Sequence, residues 1–108
     1  MKTIVAIAAV LALGGTVLAY AADDAAAEAL MKKSKCFTCH SVDKKKDGPA
    51  YKDVAKKYAG KADAQEKLYI HLTTHPTVKV DGKEEKHESL KTTDDKEIHN
   101  VISWVLSR

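Results

Sequence analysis

Sulfur-containing and aromatic residues are scarce in this sequence of 108 residues, which has two cysteines, two methionines, one phenylalanine, one tryptophan and four tyrosines. With only Cys36 and Cys39, the chain has no second cysteine pair that could complete a four-ligand zinc site. The few aromatic side chains leave little volume for an apolar core, and a domain this small buries little surface on folding. A bound group is therefore expected to fill part of the centre.

Both cysteines belong to one motif, Cys36-Phe37-Thr38-Cys39-His40. The pattern C-x-x-C-H is typical of covalent haem attachment, in which each thiol adds to one vinyl group of the porphyrin. The two-residue gap allows both thioethers to form on one side of the ring, and the histidine follows as the proximal iron ligand. A redox dithiol would be expected in a βαβ context, which is not evident here. A plain disulfide is the remaining alternative.

The first 21 residues have the features of a secretory signal peptide. Lys2 provides a positive start, residues 4–18 are almost entirely apolar, and Ala19-Tyr20-Ala21 fits an A-x-A cleavage site. The apolar run is shorter than the roughly 20 residues of a membrane span, although an uncleaved anchor is an alternative. We therefore predict cleavage near Ala21, one domain at residues 22–108, a periplasmic location and no membrane span in the mature chain. Export also removes nucleic acid as a partner.

Charge is distributed unevenly along the chain. The segment from Lys32 to Lys61 has ten lysines and three aspartates, whereas the rest of the predicted mature chain is acidic. The basic segment contains the haem motif, so the charge could steer an acidic redox partner towards the haem. Solvated lysines on helix faces are an equally acceptable interpretation.

Helical patterns lie on both sides of the motif. A first helix is predicted to begin at Asp23 or Asp24 and to lead into the motif. Pro49 is predicted to open a second helix that runs through Tyr58. A third helix is predicted for residues 62–74, where alanine and leucine side chains recur at four-residue steps.

Residues 77–80 alternate between polar and apolar side chains like a strand, and Asp81-Gly82 is a turn signal. Since the run is short and no partner for it is evident, we expect no sheet. The clearest periodic element is the last helix, predicted to be capped by Thr93. Its apolar stripe comprises Ile98, Val101, Ile102, Val105 and Leu106.

These features together resemble the small bacterial class I cytochromes c of the c-551/c-552 type. The similarity rests on the motif, on G-P-A-Y-K-D-V-A from Gly48, on K-Y-A-G from Lys57 and on W-V-L-S from Trp104. It implies an all-α fold of three to five helices around one covalently attached haem. It also implies that the Pro49 carbonyl accepts a hydrogen bond from His40, which would fix the ring and make it a better iron donor.

The sequence departs from this family at the sixth iron ligand, where the family has a methionine before the last helix. Met1 lies in the predicted signal peptide, and Met31 is expected to be a core residue of the first helix. In the family the methionine lies eleven residues before the first apolar residue of the last helix, and the same count from Ile98 leads to His87. His71, His75 and an open site are the alternatives, while His99 is expected to face solvent.

The family resemblance implies a one-electron carrier, and not an enzyme. A histidine in place of the methionine should lower the reduction potential, because Met/His ligation raises it in cytochromes c. The alternative is a haem protein that binds or senses NO or CO, with a labile or open sixth position. Peroxidase-like chemistry would need acid/base groups over the iron, and nothing in the sequence places them there.

Overall fold

A computed structural model describes residues 22–108 as five helices and one small antiparallel sheet. The elements in chain order are α1 (Asp24–Lys33), α2 (Cys36–Cys39), α3 (Tyr51–Tyr58), α4 (Ala64–Thr73), β1 (Thr77–Val80), β2 (Lys83–Lys86) and α5 (Asp95–Leu106). The predicted signal peptide, residues 1–21, lies outside the described residues. The predicted helical fold class is confirmed, with a two-stranded sheet added to it.

The first and last helices pack against each other. The Asp23 backbone N–H donates to Oδ1 of Asn100 at 2.8 Å, and Nδ2 of Asn100 donates to the Asp23 carbonyl at 2.9 Å. Ala27 and Met31 of α1 are buried, and the small alanine lets α5 approach closely. The prediction that Met31 is a core residue is confirmed.

Helix α5 provides the largest part of the apolar core. Its buried side chains are Ile98, Val101, Ile102, Trp104 and Val105. The predicted cap is one residue too early, because Asp94 and not Thr93 accepts hydrogen bonds from the backbone N–H groups of Lys96 and Glu97. Aspartate is at least as good a cap as threonine, and its negative charge interacts favourably with the helix N-terminus.

The two middle helices are slightly shorter than predicted. Helix α3 begins at Tyr51 and not at Pro49, since Ala50 has an extended backbone and occupies the capping position. Helix α4 begins two residues later than predicted and ends at Thr73. Tyr51 and Leu68 are buried in the same core as α5.

The prediction that the chain forms no sheet is wrong. Strands β1 and β2 pair antiparallel, from Thr77 opposite Lys86 to Val80 opposite Lys83. Asp81 and Gly82 join them with φ angles of 51° and 77°, as in the tight turns that suit the twist of a hairpin. The partner strand was missed because its four residues are all charged and exposed, so it has no apolar alternation.

A buried serine connects the haem motif region to the segment before α5. Ser34, only 1% exposed, lies at the end of α1, and its Oγ accepts a hydrogen bond from the Lys91 backbone N–H at 2.9 Å. Next to Lys91, the backbone N–H of Leu90 donates to the Leu72 carbonyl at 3.0 Å. The segment that follows the hairpin is therefore fixed to both α1 and α4.

None of the helices within residues 22–108 combines the length and the apolar character needed to cross a membrane.

Candidate functional site

The motif cysteines lie on α2, one short helical turn set at an angle to α1. Lys35 makes the break between the two helices with a left-handed backbone, φ 62°. Neither Cys36 nor Cys39 is in a disulfide, and both are half-buried. Burial raises the pKa of Cys36 to about 11, against the effect of a hydrogen bond with Tyr51. A redox dithiol needs a lowered thiol pKa, so this environment disfavours that alternative.

His40 follows α2 and is held by the segment before α3. Its Nδ1–H donates to the Pro49 carbonyl at 2.7 Å, because a carbonyl oxygen can only accept. This bond leaves Nε2 as the nitrogen available to a metal. The His40 ring also stacks on the Tyr51 ring, with centroids 4.8 Å apart.

Gly48 leaves the space that the His40 ring occupies. A Cβ at position 48 would lie 2.5 Å from Cε1 and 2.8 Å from Nδ1 of His40. No side chain larger than hydrogen fits there without displacing the ring, so the backbone of Gly48 and the carbonyl of Pro49 act together in fixing it.

The His87 ring lies close to the His40 ring, with centroids 6.1 Å apart and the ring planes tilted by 58°. Two imidazoles that bind one metal from opposite sides, each about 2 Å from it, have ring centres about 6 Å apart. The observed centroid separation is close to this value. The fold therefore brings His87, the histidine selected from the sequence, close to the motif.

A second histidine lies beside His87. The centroid of the His71 ring is 4.2 Å from that of His87, and both side chains are half-buried. Burial lowers the pKa of His71, with smaller contributions from His40 and Lys57. Burial lowers the pKa of His87 to about 4, with smaller electrostatic contributions from His71 and His40. Both rings are consequently neutral near pH 7 and have a nitrogen lone pair available to a metal.

His75 and His99 do not occupy this position. His75 is exposed, and its Nδ1–H donates to the backbone carbonyl of His87 at 3.2 Å, so it holds the chain of His87. His99 is exposed on α5, where its Nδ1 lies 3.2 Å from Oε1 of Gln65. The exposure of His99 agrees with its predicted place in solvent.

Two buried side-chain atoms in the described part of the chain have no hydrogen-bond partner, Nδ1 of His87 and Nε1 of Trp104. Both side chains lie beside the motif, since the Trp104 ring is 6.1 Å from the Phe37 ring. Unpaired buried polar atoms are rare and call for an explanation such as a bound group. With two thiols and two neighbouring imidazoles, these residues fit a covalently attached haem.

Zinc finds less support in the arrangement. Within residues 22–108 no cluster of three or more histidine, cysteine, aspartate or glutamate side chains is arranged to hold a metal ion. A closed zinc site needs four such ligands.

The His71–His87 contact and the role of Gly48 were missed by the sequence reasoning. A signal for His71 existed, because it lies three residues after the buried Leu68 and so on the same face of α4. Nothing in the sequence indicated that Gly48 contacts a side chain eight residues earlier.

Several lysines lie next to the motif. Lys46 Nζ donates to the Phe37 carbonyl at 3.0 Å, and Lys57 is close enough to affect His71 electrostatically. Lys44 and Lys45 are exposed in the loop that precedes Gly48. Part of the basic segment therefore lies at the edge of the site.

Comparison with known proteins gives consistent matches. The family model described as cytochrome c matches residues 25–108. Cytochrome c-551 of Pseudomonas aeruginosa is 50% identical over 54 residues, which cover 50% of this chain and 52% of that protein. Cytochrome c-552 of Hydrogenobacter thermophilus is 56% identical over 41 residues, or 38% of this chain and 42% of that one. The aligned regions span about half the length of these relatives.

Solved structures match over a larger part of the chain. The class 1 cytochrome MtoD from Sideroxydans lithotrophicus ES-1 is 47% identical with a TM-score of 0.77, covering 81% of this chain and 97% of that one. Cytochrome c552 of Nitrosomonas europaea is 30% identical with a TM-score of 0.58, and the match covers 74% of this chain and 96% of that one. The helical arrangement described above is thus that of class I cytochromes.

Proposed function

Because this chain belongs to the cytochrome c family, whose members carry one covalently attached haem c, we propose that it is a one-electron carrier whose iron is bound by His40 and His87. Cys36 and Cys39 form the two thioethers. The haem supplies the one-electron couple, and the protein holds it between two imidazoles. The observation that carries the proposal is the 6.1 Å separation of the His40 and His87 rings.

The residues around the two imidazoles support this role. The Pro49 carbonyl and the space at Gly48 hold the His40 ring in one orientation. The lowered pKa of His87 means that no proton has to leave the ring before it binds metal at neutral pH. Two strong-field ligands held in fixed positions change little on reduction, so the electron moves with little rearrangement of the protein.

We further propose that the carrier works in the periplasm, without enzymatic activity of its own, and exchanges electrons with other redox proteins. The predicted signal peptide and the need to attach haem outside the bacterial cytoplasm support this location. The exposed lysines at the edge of the site, Lys44 and Lys45 among them, support docking of an acidic partner there.

The ligation proposal predicts a reduction potential below that of Met/His cytochromes c, because a thioether ligand raises the potential. A redox titration of the haem-loaded protein measures it. The reduced protein should also bind CO slowly at neutral pH, since both axial positions are taken. A potential in the range of Met/His cytochromes contradicts His/His ligation, and rapid CO binding favours the alternative function of binding NO or CO.

The docking proposal predicts that oxidation of the reduced protein by ferricyanide, a small anionic oxidant, slows as ionic strength rises. Replacing Lys44 and Lys45 with glutamate should slow the reaction severalfold at low salt. This is a modest effect, because electrostatic steering can change association rates by roughly 10- to 1,000-fold. The matched control reverses Lys83 and Lys96, exposed lysines outside the basic segment. Equal effects of the two double variants would show that net charge alone matters and would contradict a docking site.

A further inference from the structure

We infer that the β1–β2 hairpin is the element that positions His87, and that its turn at Asp81 and Gly82 determines which residue faces His40. The inference rests on the proposed ligation and adds to it the part of the fold that selects the ligand. It assigns a role to a sheet that the sequence did not predict.

His87 continues the hydrogen-bonded ladder of the hairpin. Thr77 and Lys86 form the last pair of the sheet, and the His87 backbone N–H then donates to the Pro76 carbonyl at 2.8 Å. On the other side of the residue, the His87 carbonyl accepts from Nδ1–H of His75 at 3.2 Å. Both backbone polar groups of His87 are thus held by the two residues that precede β1.

The pairing register decides which side chain is presented to the motif. Successive side chains of a strand point to opposite sides, so a slip of one residue exchanges the two faces. Such a slip would place Lys86 or Glu88 where His87 now lies. Both of these side chains are exposed, whereas the His87 side chain is half-buried.

The strands themselves specify this register weakly. All four residues of β2 are exposed, and in β1 only Val78 and Val80 are half-buried. Sheets without a buried apolar face are prone to slip, and the turn then fixes the register. The turn is specific here, because Asp81 and Gly82 both adopt the positive φ angles of a two-residue hairpin loop.

On the other side of His87, Oγ of Ser89 accepts a hydrogen bond from the His75 backbone N–H at 3.3 Å. Leu90 and Lys91 follow, fixed to Leu72 and Ser34. The Ser89 contact also leads back to His75, just before β1, so it ties His87 to the same end of the hairpin.

The chain offers a matched pair of glycines for the test. Gly82 has φ 77° and Gly60 has φ 71°, and a Cβ added at either would meet no atom within 4 Å. Because the Cβ has space at both positions and both φ angles are positive, valine introduces a similar backbone strain at each. Only Gly82 belongs to the hairpin, whereas Gly60 follows α3.

In the haem-loaded, reduced protein we expect Gly82→Val to raise the rate of CO binding about 10- to 100-fold, the usual range when support of a metal ligand is lost. Gly60→Val should remain within about twofold of the unaltered protein, although thermal melting should fall in both variants. Gly82→Asn should restore slow CO binding, because asparagine tolerates a positive φ.

Equal CO rates in Gly82→Val and Gly60→Val overturn the inference, whether both are slow or both are fast. Failure of the underlying proposal is distinguishable, because the unaltered protein would then itself bind CO rapidly, or would stay low-spin when His87 is replaced by alanine. A Gly82→Asn variant as fast as Gly82→Val would also overturn it, since the strain would then not be the cause.

Discussion

Replacing His87 with alanine should convert the haem-loaded protein from low-spin to high-spin in both oxidation states. The reduced variant should bind CO more than about a hundredfold faster than the unaltered protein, beyond the range expected when only a supporting partner is lost. The physical reason is that His87 is the imidazole 6.1 Å from His40, and alanine cannot reach the iron. Absorption spectra and rapid-mixing CO kinetics measure both effects.

His99→Ala is the matched control for this variant. It removes the same side chain from an exposed site on α5, where the imidazole contacts Gln65 and the Tyr69 ring. It should leave the spectrum unchanged. A low-spin spectrum that persists in His87→Ala and disappears only when His71 is also replaced would contradict the assignment and transfer the ligand role to His71, whose ring is 4.2 Å from His87.

Replacing Gly48 with alanine should destabilise the proximal side of the site. The added Cβ would lie 2.5 Å from the His40 ring, so the ring or the backbone must move and the hydrogen bond to Pro49 must lengthen. Such overpacking costs about 1–3 kcal/mol, and each kcal/mol lowers the melting temperature of a domain this size by about 4–8 °C. The reduction potential should rise, because His40 loses the partner that makes it a stronger donor.

Gly60→Ala separates the effect of space from that of backbone conformation. Gly48 does not have a positive φ, so an alanine there would be unfavourable only because its Cβ lacks space. At Gly60 the space is open, and an alanine would be unfavourable because of the φ of 71°. Gly60→Ala should therefore lower the melting temperature but leave the potential unchanged. An unchanged potential in Gly48→Ala, measured by redox titration, would contradict the proposed role of the Pro49 hydrogen bond.

The parts of the fold that the sequence predicted well are those with a local signal. The apolar stripe that begins at Ile98 repeats with the helical period, and the helix lies within two residues of the prediction. The cysteine motif is recognisable without any structure because its chemistry requires a fixed spacing. The hairpin had no such signal, because the residues of β2 are all charged and exposed and therefore show no apolar alternation.

The site itself was predicted in part. His87 was found by its distance from the last helix, although its neighbours Lys86 and Glu88 are typical of a solvated surface. Its contact with His71 joins residues 16 positions apart, which α4 and the hairpin bring together. Such a contact depends on how two elements pack, and neither periodicity nor composition contains that information.

The hydrogen bonds between Asp23 and Asn100, 77 positions apart in the chain, also bear on the order of assembly. On the proposed export route the chain emerges from the membrane N-terminus first, so the α1–α5 pair cannot close until the last residues have appeared. The Cys36 and Cys39 thiols appear much earlier, while the α5 side chains that cover the core are still absent. The topology thus leaves the two thiols uncovered by α5 during the interval before the terminal helices meet.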